Sequence, residues 1–463
     1  MKRSLSRRRL LQSACAAGGA SFWPGTGTAA PDGLRIAPFR FEVTPPPGHP
    51  LCGGWITPVV DVEDSLEAIG FVLLGAGDPV VVCAVDWTGI LNEAHLAWRG
   101  ALAQAAGTTP ERVAVQCVHQ HDAPFVCLET QRLLDAAGGG LLNMDRTFFQ
   151  DCLQRGAAAV RKAVGMAKPL THVASAQARV SEVAGNRRVM LNAEGKVVKM
   201  RGSSCRDPEL IGLPEGLIDP LLKTVAFYSG DEKLAACHYY ACHPMSHYGQ
   251  GHVSSDYPGL ARKRLQAAEP GCTHLYFTGA AGNIGAGKYN NGSPEARVAL
   301  TGRIFDAMTA TGRLLKPEPL RTARWCTQEL VPQVNPAFTL ESEMALVLNK
   351  ENAPAGRIRP AMRAAWIKRL EKGVPIVLSA LHLDSVTLLH LPAESFVEYQ
   401  LRAQDFAKGR FVATAAYGDG GPWYIPTREA FPQGGYEVSV ANCAPGTDPE
   451  MTERIARLLE AAG

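Results

Sequence analysis

The chain has 463 residues, 46% hydrophobic and 20% charged, with 46 glycines and 32 prolines, so it can bury a large core and is neither disordered, collagen-like nor of low complexity. Lys and Arg total 47 against 44 for Asp and Glu, but five basic residues (Lys2, Arg3, Arg7, Arg8, Arg9) fall within residues 1–30, and without that stretch the balance is 42 to 44. A polyanionic partner such as nucleic acid is thereby excluded as the first expectation.

Residues 1–30 combine a basic head, a weakly apolar middle of Ala, Cys and Gly, and a small-residue exit at Ala29-Ala30 before Pro31. This pattern reads as an export signal, and Arg7-Arg8-Arg9 ahead of Leu10-Leu11 favours the twin-arginine route to the periplasm or exterior. No transmembrane segment is expected, because no stretch supplies the roughly 20 consecutive apolar residues that a span requires. Gln12 and Ser13 argue against lipid attachment at Cys15. Eleven of the twelve cysteines lie beyond this leader and none forms a Cys-x-x-Cys pair, so neither a zinc ribbon nor a thioredoxin site is indicated. Cys83 and Cys117 sit in apolar strand patterns and are expected as buried free thiols.

From Leu34 on, β-branched runs alternate with Ala/Leu/Arg-rich amphipathic stretches, with no long linker and no evident internal repeat. One α/β domain over residues 31–463 is expected, with mixed β-sheets flanked by helices. In chain order, the patterning predicts strands at Gly70–Leu74, Pro79–Val85, Arg112–Val118, Leu234–Cys242, Thr273–Thr278, Ser385–Leu391 and Phe411–Ala416. Helices are predicted at Glu93–Ala106, Asp145–Met166, Gly259–Ala268, Pro294–Thr311, Pro360–Lys372, Glu394–Phe406 and Pro449–Ala462. The irregular stretch Gln328–Pro360 reads as an excursion or lid.

Polar clusters follow five of these strands: His119-Gln120-His121-Asp122, His243-Pro244, Gly279–Gly287, Pro392-Ala393-Glu394 and Tyr417-Gly418-Asp419. Active sites of α/β sheets are expected at such carboxyl ends, where loops converge. His119 and His121 are two apart and share a side in extended chain; with His243 and Glu394 they supply the imidazoles and carboxylate that catalytic zinc accepts. His238, an odd number of residues from His243, faces the other way and reads as structural. Asp86 either orients a histidine or caps the following helix. Gly282 through Lys288 fits Gly-x-x-x-x-Gly-Lys, but Tyr289 replaces the Ser or Thr of a phosphate-binding loop and a turn follows instead of a helix. The glycines suit close backbone approach to substrate, with Lys288 facing a polar or anionic group, or else form a tight turn without a ligand.

At these residues the chain resembles the catalytic domain of neutral, non-lysosomal ceramidases and the bacterial proteins similar to it. Val118-His119-Gln120-His121-Asp122-Ala123-Pro124 resembles that family's Thr-His-Thr-His-Ser-Gly-Pro, and Tyr240-Ala241-Cys242-His243-Pro244-Met245-Ser246 its Ala-x-His-Pro-Thr-Ser. Leu391-Pro392-Ala393-Glu394 resembles its Pro-Gly-Glu, Asn186-Arg187-Arg188 its Asn-Arg segment, and Ile425 through Glu437 its tyrosine-bearing segment; Ser255 to Gly259 matches another shared stretch. The resemblance implies zinc held by the His-x-His element (His119 or His121), His243, Glu394 and Tyr436, with Arg187 near substrate. Two departures stand out. Gly285, in Ala281-Gly282-Asn283-Ile284-Gly285-Ala286-Gly287, occupies the place of the family's serine nucleophile, and the chain stops soon after the tyrosine segment, without the family's C-terminal β-sandwich.

The expected function is an exported zinc-dependent hydrolase of an amide or ester bond in an N-acyl or lipid-like small molecule, with zinc-bound water replacing the serine. His121 or Asp122 is the candidate base, Tyr436 is expected to meet the oxyanion, and Arg187, Asn283, Gly285, Lys288 and Trp423 to line the substrate. The alternative is a catalytically silent zinc-containing binding protein.

Overall fold

The computed structural model describes residues 33–461. The export signal expected at 1–30, including Cys15, lies outside them. Twelve strands of five residues or more build three mixed sheets, with helices around them.

The first sheet contains β1 (Arg35–Glu42), β2 (Glu67–Leu74), β3 (Val80–Val85) and β4 (Val113–Cys117). β1, β2 and β3 pair antiparallel, and β4 joins β3 in parallel register. A parallel neighbour cannot be reached by a tight turn, and helix α1 (Glu93–Ala106) makes the crossover. Helix α2 (Arg146–Val164), capped by the Asp145 carboxylate on the Thr147 and Phe148 amides, then packs against α1 and β1.

The chain follows the same path twice more. β5 (His172–Arg179), β6 (Leu221–Ser229) and β7 (Glu232–Tyr240) are antiparallel, helix α3 (Asp256–Ala268) crosses to β8 (Thr273–Thr278), parallel to β7, and α4 (Pro294–Leu314) packs on α3 and β5. In the third pass β9 (Ala323–Leu330), β10 (Ile376–Leu383) and β11 (Val386–His390) are antiparallel. There α6 (Val397–Phe406) crosses to β12 (Phe411–Ala415), parallel to β11, and α7 (Thr447–Glu460) packs on α6 and β9. Between passes, Lys168–Pro169 pairs with β1 and Glu318–Pro319 with β5. The sequence shows no repeat, yet the topology βββαβα is traversed three times.

Alternation along the strands explains the two main apolar layers. Ile69, Phe71 and Leu73, Val80 and Val82, Val225 and Phe227, Leu275 and Phe277, and Leu381 and Leu388 meet in one central cluster where the three sheets face one another. Their neighbours of opposite parity, such as Val81, Cys83 and Val85, pack outward onto Trp98 and Leu102 of α1. β3 is therefore buried on both faces, as its uninterrupted Val-rich run requires.

The fourth strands close a ring at their carboxyl ends. The Cys117 amide donates to Tyr417 O (2.8 Å), the Ala416 amide to Thr278 O (2.9 Å), and the Thr278 hydroxyl to Val118 O (2.6 Å). The expected excursion is a helical hairpin, Leu340–Leu348 followed by α5 (Pro354–Glu371), anchored by the fully buried Trp366. The helix expected from Glu394 begins only at Val397, because Glu394–Ser395 pairs in parallel with Tyr424–Ile425. All eleven cysteines among the described residues are free. No helix of the described residues is long and apolar enough to cross a membrane.

Candidate metal centre and active site

Three of the strand ends deliver His119 after β4, His243 after β7 and Glu394 after β11 to one buried point, with one potential ligand atom from each within 4.8 Å of the others. The backbone there is strained: His119 (φ 76°), Ala393 (φ 51°), Tyr417 (φ 62°) and Trp423 (φ 60°) all occupy the left-handed region, at about 1–3 kcal/mol each. Surrounding bonds hold these turns, including His119 N–H to Trp87 O (2.9 Å), Tyr417 N–H to Ala393 O (2.9 Å) and Glu394 N–H to Trp423 O (2.8 Å).

Backbone carbonyls fix the imidazole tautomers. His119 Nδ1 donates to Thr88 O (2.6 Å) and His243 Nδ1 to Ala281 O (2.7 Å), which leaves each Nε2 as a lone pair. Both lone pairs face Glu394 Oε2, at 3.3 Å from His119 and 3.1 Å from His243. Burial lowers the His243 pKa to about 4, so this ring is neutral near pH 7. Three acceptors turned on one another fit a cation between them, and two imidazoles with one carboxylate are the donor set that zinc takes in catalytic sites.

The other expected residues are distributed around this group. The His121 ring is 5.0 Å from the His119 ring and 5.5 Å from Tyr248, its Nδ1 is buried without a hydrogen bond, and burial together with His119 and His243 keeps it neutral. Asp122 accepts the Gly249 amide (2.8 Å) and lies 3.8 Å from Arg297; burial, partly offset by that amide, raises its pKa to about 6. A cavity of about 430 Å³ opens beside Asp122, lined by Tyr248, Leu260, Arg264, Arg297 and Val298 among others. Arg187 is buried, donates to the Tyr424 hydroxyl (3.2 Å) and spans the Tyr424 and Tyr436 rings at 5.9 and 5.6 Å, with its Nε 3.4 Å from Glu437. Tyr436 is 43% exposed at the mouth. Trp423 packs edge-on against Trp55 (5.5 Å) and under Arg359 of α5 (4.7 Å).

Gly285 pairs with Gly185 next to Arg187. The polar ends of two expected substrate contacts are engaged within the fold. Asn283 bridges the Val397 amide (2.9 Å) and Glu398 (2.9 Å), while Lys288 donates to the carbonyls of Ile211 (2.6 Å) and Leu213. Asp86 neither orients a histidine nor caps a helix, but accepts the Glu67 amide (3.0 Å) and faces Arg262 (3.4 Å). His238 is structural, bonded to Thr224 (2.9 Å) and His274 (3.1 Å).

Sequence reasoning assigned no role to Tyr417, Tyr424 or Glu437. The Tyr417 ring stacks on His119 at 4.2 Å, and the fully buried Glu437 holds both Arg187 and Arg188. The available signals were the position of Tyr417 just beyond a strand and of Glu437 next to Tyr436.

The fold is that of neutral ceramidases. A solved ceramidase complexed with C2 superposes with a TM-score of 0.68 at 15% identity, covering 93% of this chain and 75% of that one. The neutral ceramidase of Pseudomonas aeruginosa gives 0.66 at 17% identity, covering 93% and 74%. No protein-family model matches the sequence, and no curated protein does.

Proposed function

We propose that the chain is an exported, zinc-dependent hydrolase of an amide or ester bond in an N-acyl or related lipid-like small molecule, with residues 1–30 as a twin-arginine signal and 31–463 as the catalytic domain. The observation that carries this reading is the convergence of two carbonyl-oriented imidazoles on one Glu394 oxygen, in a pocket rimmed by Arg187 and Tyr436. His119, His243 and Glu394 would hold the metal, with His121 and Tyr436 at its margin. When bound, zinc supplies polarisation of the scissile carbonyl and a lowered pKa for water.

The chain's own groups supply the rest. His121, neutral and with Nδ1 free of internal bonds, takes the proton of the attacking water, and Asp122 is the other candidate for that base. Arg187 and Tyr436 meet the developing oxyanion, and the flat Gly285 segment and Trp423 line the substrate. Gly285 has no hydroxyl to acylate, so no covalent acyl-enzyme forms. The same glycine favours a second reading, in which the pocket binds its ligand without turnover.

Metal analysis and a substrate panel separate the possibilities. Purified protein should carry zinc at the His119 centre, and His243→Ala or Glu394→Ala should abolish it there; retention in both variants overturns the ligand assignment. Metal-dependent cleavage of an N-acyl amide or ester, ceramide being slow, supports the hydrolase, whereas tight binding without turnover selects the second reading. Export is checked separately by Arg7→Lys with Arg8→Lys, which should strand the protein in the cytoplasm.

A further inference from the structure

At the amino end of β8, the opposite end from the candidate site, α3 is followed by Glu269-Pro270-Gly271-Cys272. The Cys272 amide donates to Glu269 O (3.1 Å), a tight turn that folds Cys272 back toward Glu269. His274 stands two residues further on, on the same side as Cys272 in extended chain. A Glu269 carboxylate oxygen, Cys272 Sγ and a His274 ring nitrogen lie within 4.8 Å of one another. Cys272 is 4% and His274 1% exposed, and Glu269 reaches toward solvent.

A buried chain of hydrogen bonds fixes the His274 tautomer. Thr311 donates its single hydroxyl proton to Met308 O (2.8 Å), so Thr224 must donate to Thr311 (2.7 Å). His238 Nδ1 then donates to Thr224 (2.9 Å), which leaves His238 Nε2 to accept from His274 Nδ1 (3.1 Å). His274 Nε2 is left as a bare lone pair with no hydrogen bond, 3.5 Å from Glu269 Oε2.

We propose that Glu269, Cys272 and His274 form a second metal site, distinct from the His119 centre, for a borderline-soft divalent ion of the zinc class. The donor set decides the ion: thiolate with imidazole and carboxylate suits zinc or cobalt, whereas calcium and magnesium take oxygen ligands. Binding releases the Cys272 proton to solvent, and a water completes the four-coordinate shell. Lys233, paired with Glu269 and 22% exposed, is the internal competitor and turns outward as the ion enters. The site clamps the corner between α3 and β8, a structural role that does not depend on the reaction proposed above.

Cobalt(II) titrated into reduced, metal-free, full-length protein tests this. The His119 centre offers only nitrogen and oxygen donors, so a thiolate-to-cobalt charge-transfer band reports the second site. The expected result is two equivalents bound with that band present. Cys272→Ala should remove the band and one equivalent while the other equivalent remains. Lys233→Met should bind the second ion several-fold more tightly, a gain that misfolding cannot imitate. Absence of the band in wild-type protein, its survival in Cys272→Ala, or unchanged affinity in Lys233→Met overturns the proposal.

Discussion

Gly282 and Gly285 share a loop but answer differently to a side chain. A Cβ on Gly282 would fall 2.3 Å from the Glu394 carbonyl oxygen, whereas on Gly285 the nearest atoms are Ser203 Cα at 3.5 Å and Arg187 Cγ at 3.6 Å, ordinary contact distances. Gly285→Ser should therefore keep the wild-type melting temperature. Gly282→Ala should lose about 1–3 kcal/mol and bind metal more weakly, because the backbone carrying Glu394 has to move. Calorimetry with metal titration checks both, and equal losses would contradict the geometry. At this scale His119, His243 and Glu394 were legible in sequence because each stands just past an apolar run that announces a strand. Lys288 was misleading for a physical reason: a lysine in a glycine-rich loop looks free, and only the fold shows the carbonyls of Ile211 and Leu213 that receive it.

Among elements, β2, β3, β4, β7, β8, β11 and β12 were legible, whereas β1, β5, β6, β9 and β10 were not, although β6 and β10 are buried on both faces. β3 reads Val-Val-Val-Cys-Ala-Val, but β5 reads His-Val-Ala-Ser-Ala-Gln-Ala-Arg and β9 Ala-Arg-Trp-Cys-Thr-Gln-Glu-Leu, whose small and polar residues are outweighed by pairing along their full length with the more buried β6 and β10. Within the hairpin, helix was expected over Pro360–Lys372 and is found from Pro354, while Leu340–Leu348 fell in the stretch read as irregular; α5 is tied down by an ion pair as well as by packing. Arg369 donates to Asp419 Oδ2 (2.5 Å), both groups are buried, and Asp419 in turn accepts the Asn92 and Gly421 amides below the Tyr417 turn. Arg369→Ala should cost about 3–5 kcal/mol by leaving the Asp419 carboxylate buried and unpaired. Asp419→Asn with Arg369→Leu should recover much of that loss. Urea denaturation of the single and double variants measures the coupling, and additive losses would show that the pair is not what anchors the hairpin.

For the whole molecule, neutral buried histidines set the acid limit. His49 Nδ1 donates to Pro50 O (2.7 Å) and its Nε2 accepts the Asp145 amide (3.3 Å), while burial lowers its pKa from 6.5 to about 4. The unfolded chain takes up this proton near pH 6.5 and the folded chain only near pH 4, so the stability it protects is whole above pH 6.5 and drains away as pH falls toward 4. His49 alone should account for on the order of 2–3 kcal/mol between pH 7 and 4.5. Urea midpoints should fall over that interval and fall less in His49→Gln; an identical slope in the variant would refute the assignment.

The thrice-repeated path has a further consequence. His119 belongs to the first pass, His243 to the second and Glu394 to the third, so the centre is a lock whose three keys are kept by three holders. A nascent chain that has made only two passes carries two keys and cannot turn it. With the metal proposed above, ion capture at that point would be a completion signal, given only when the last third of the polypeptide has been threaded against the other two. A cell that exports this chain already folded would be shipping an article whose seal could only have been set after final assembly.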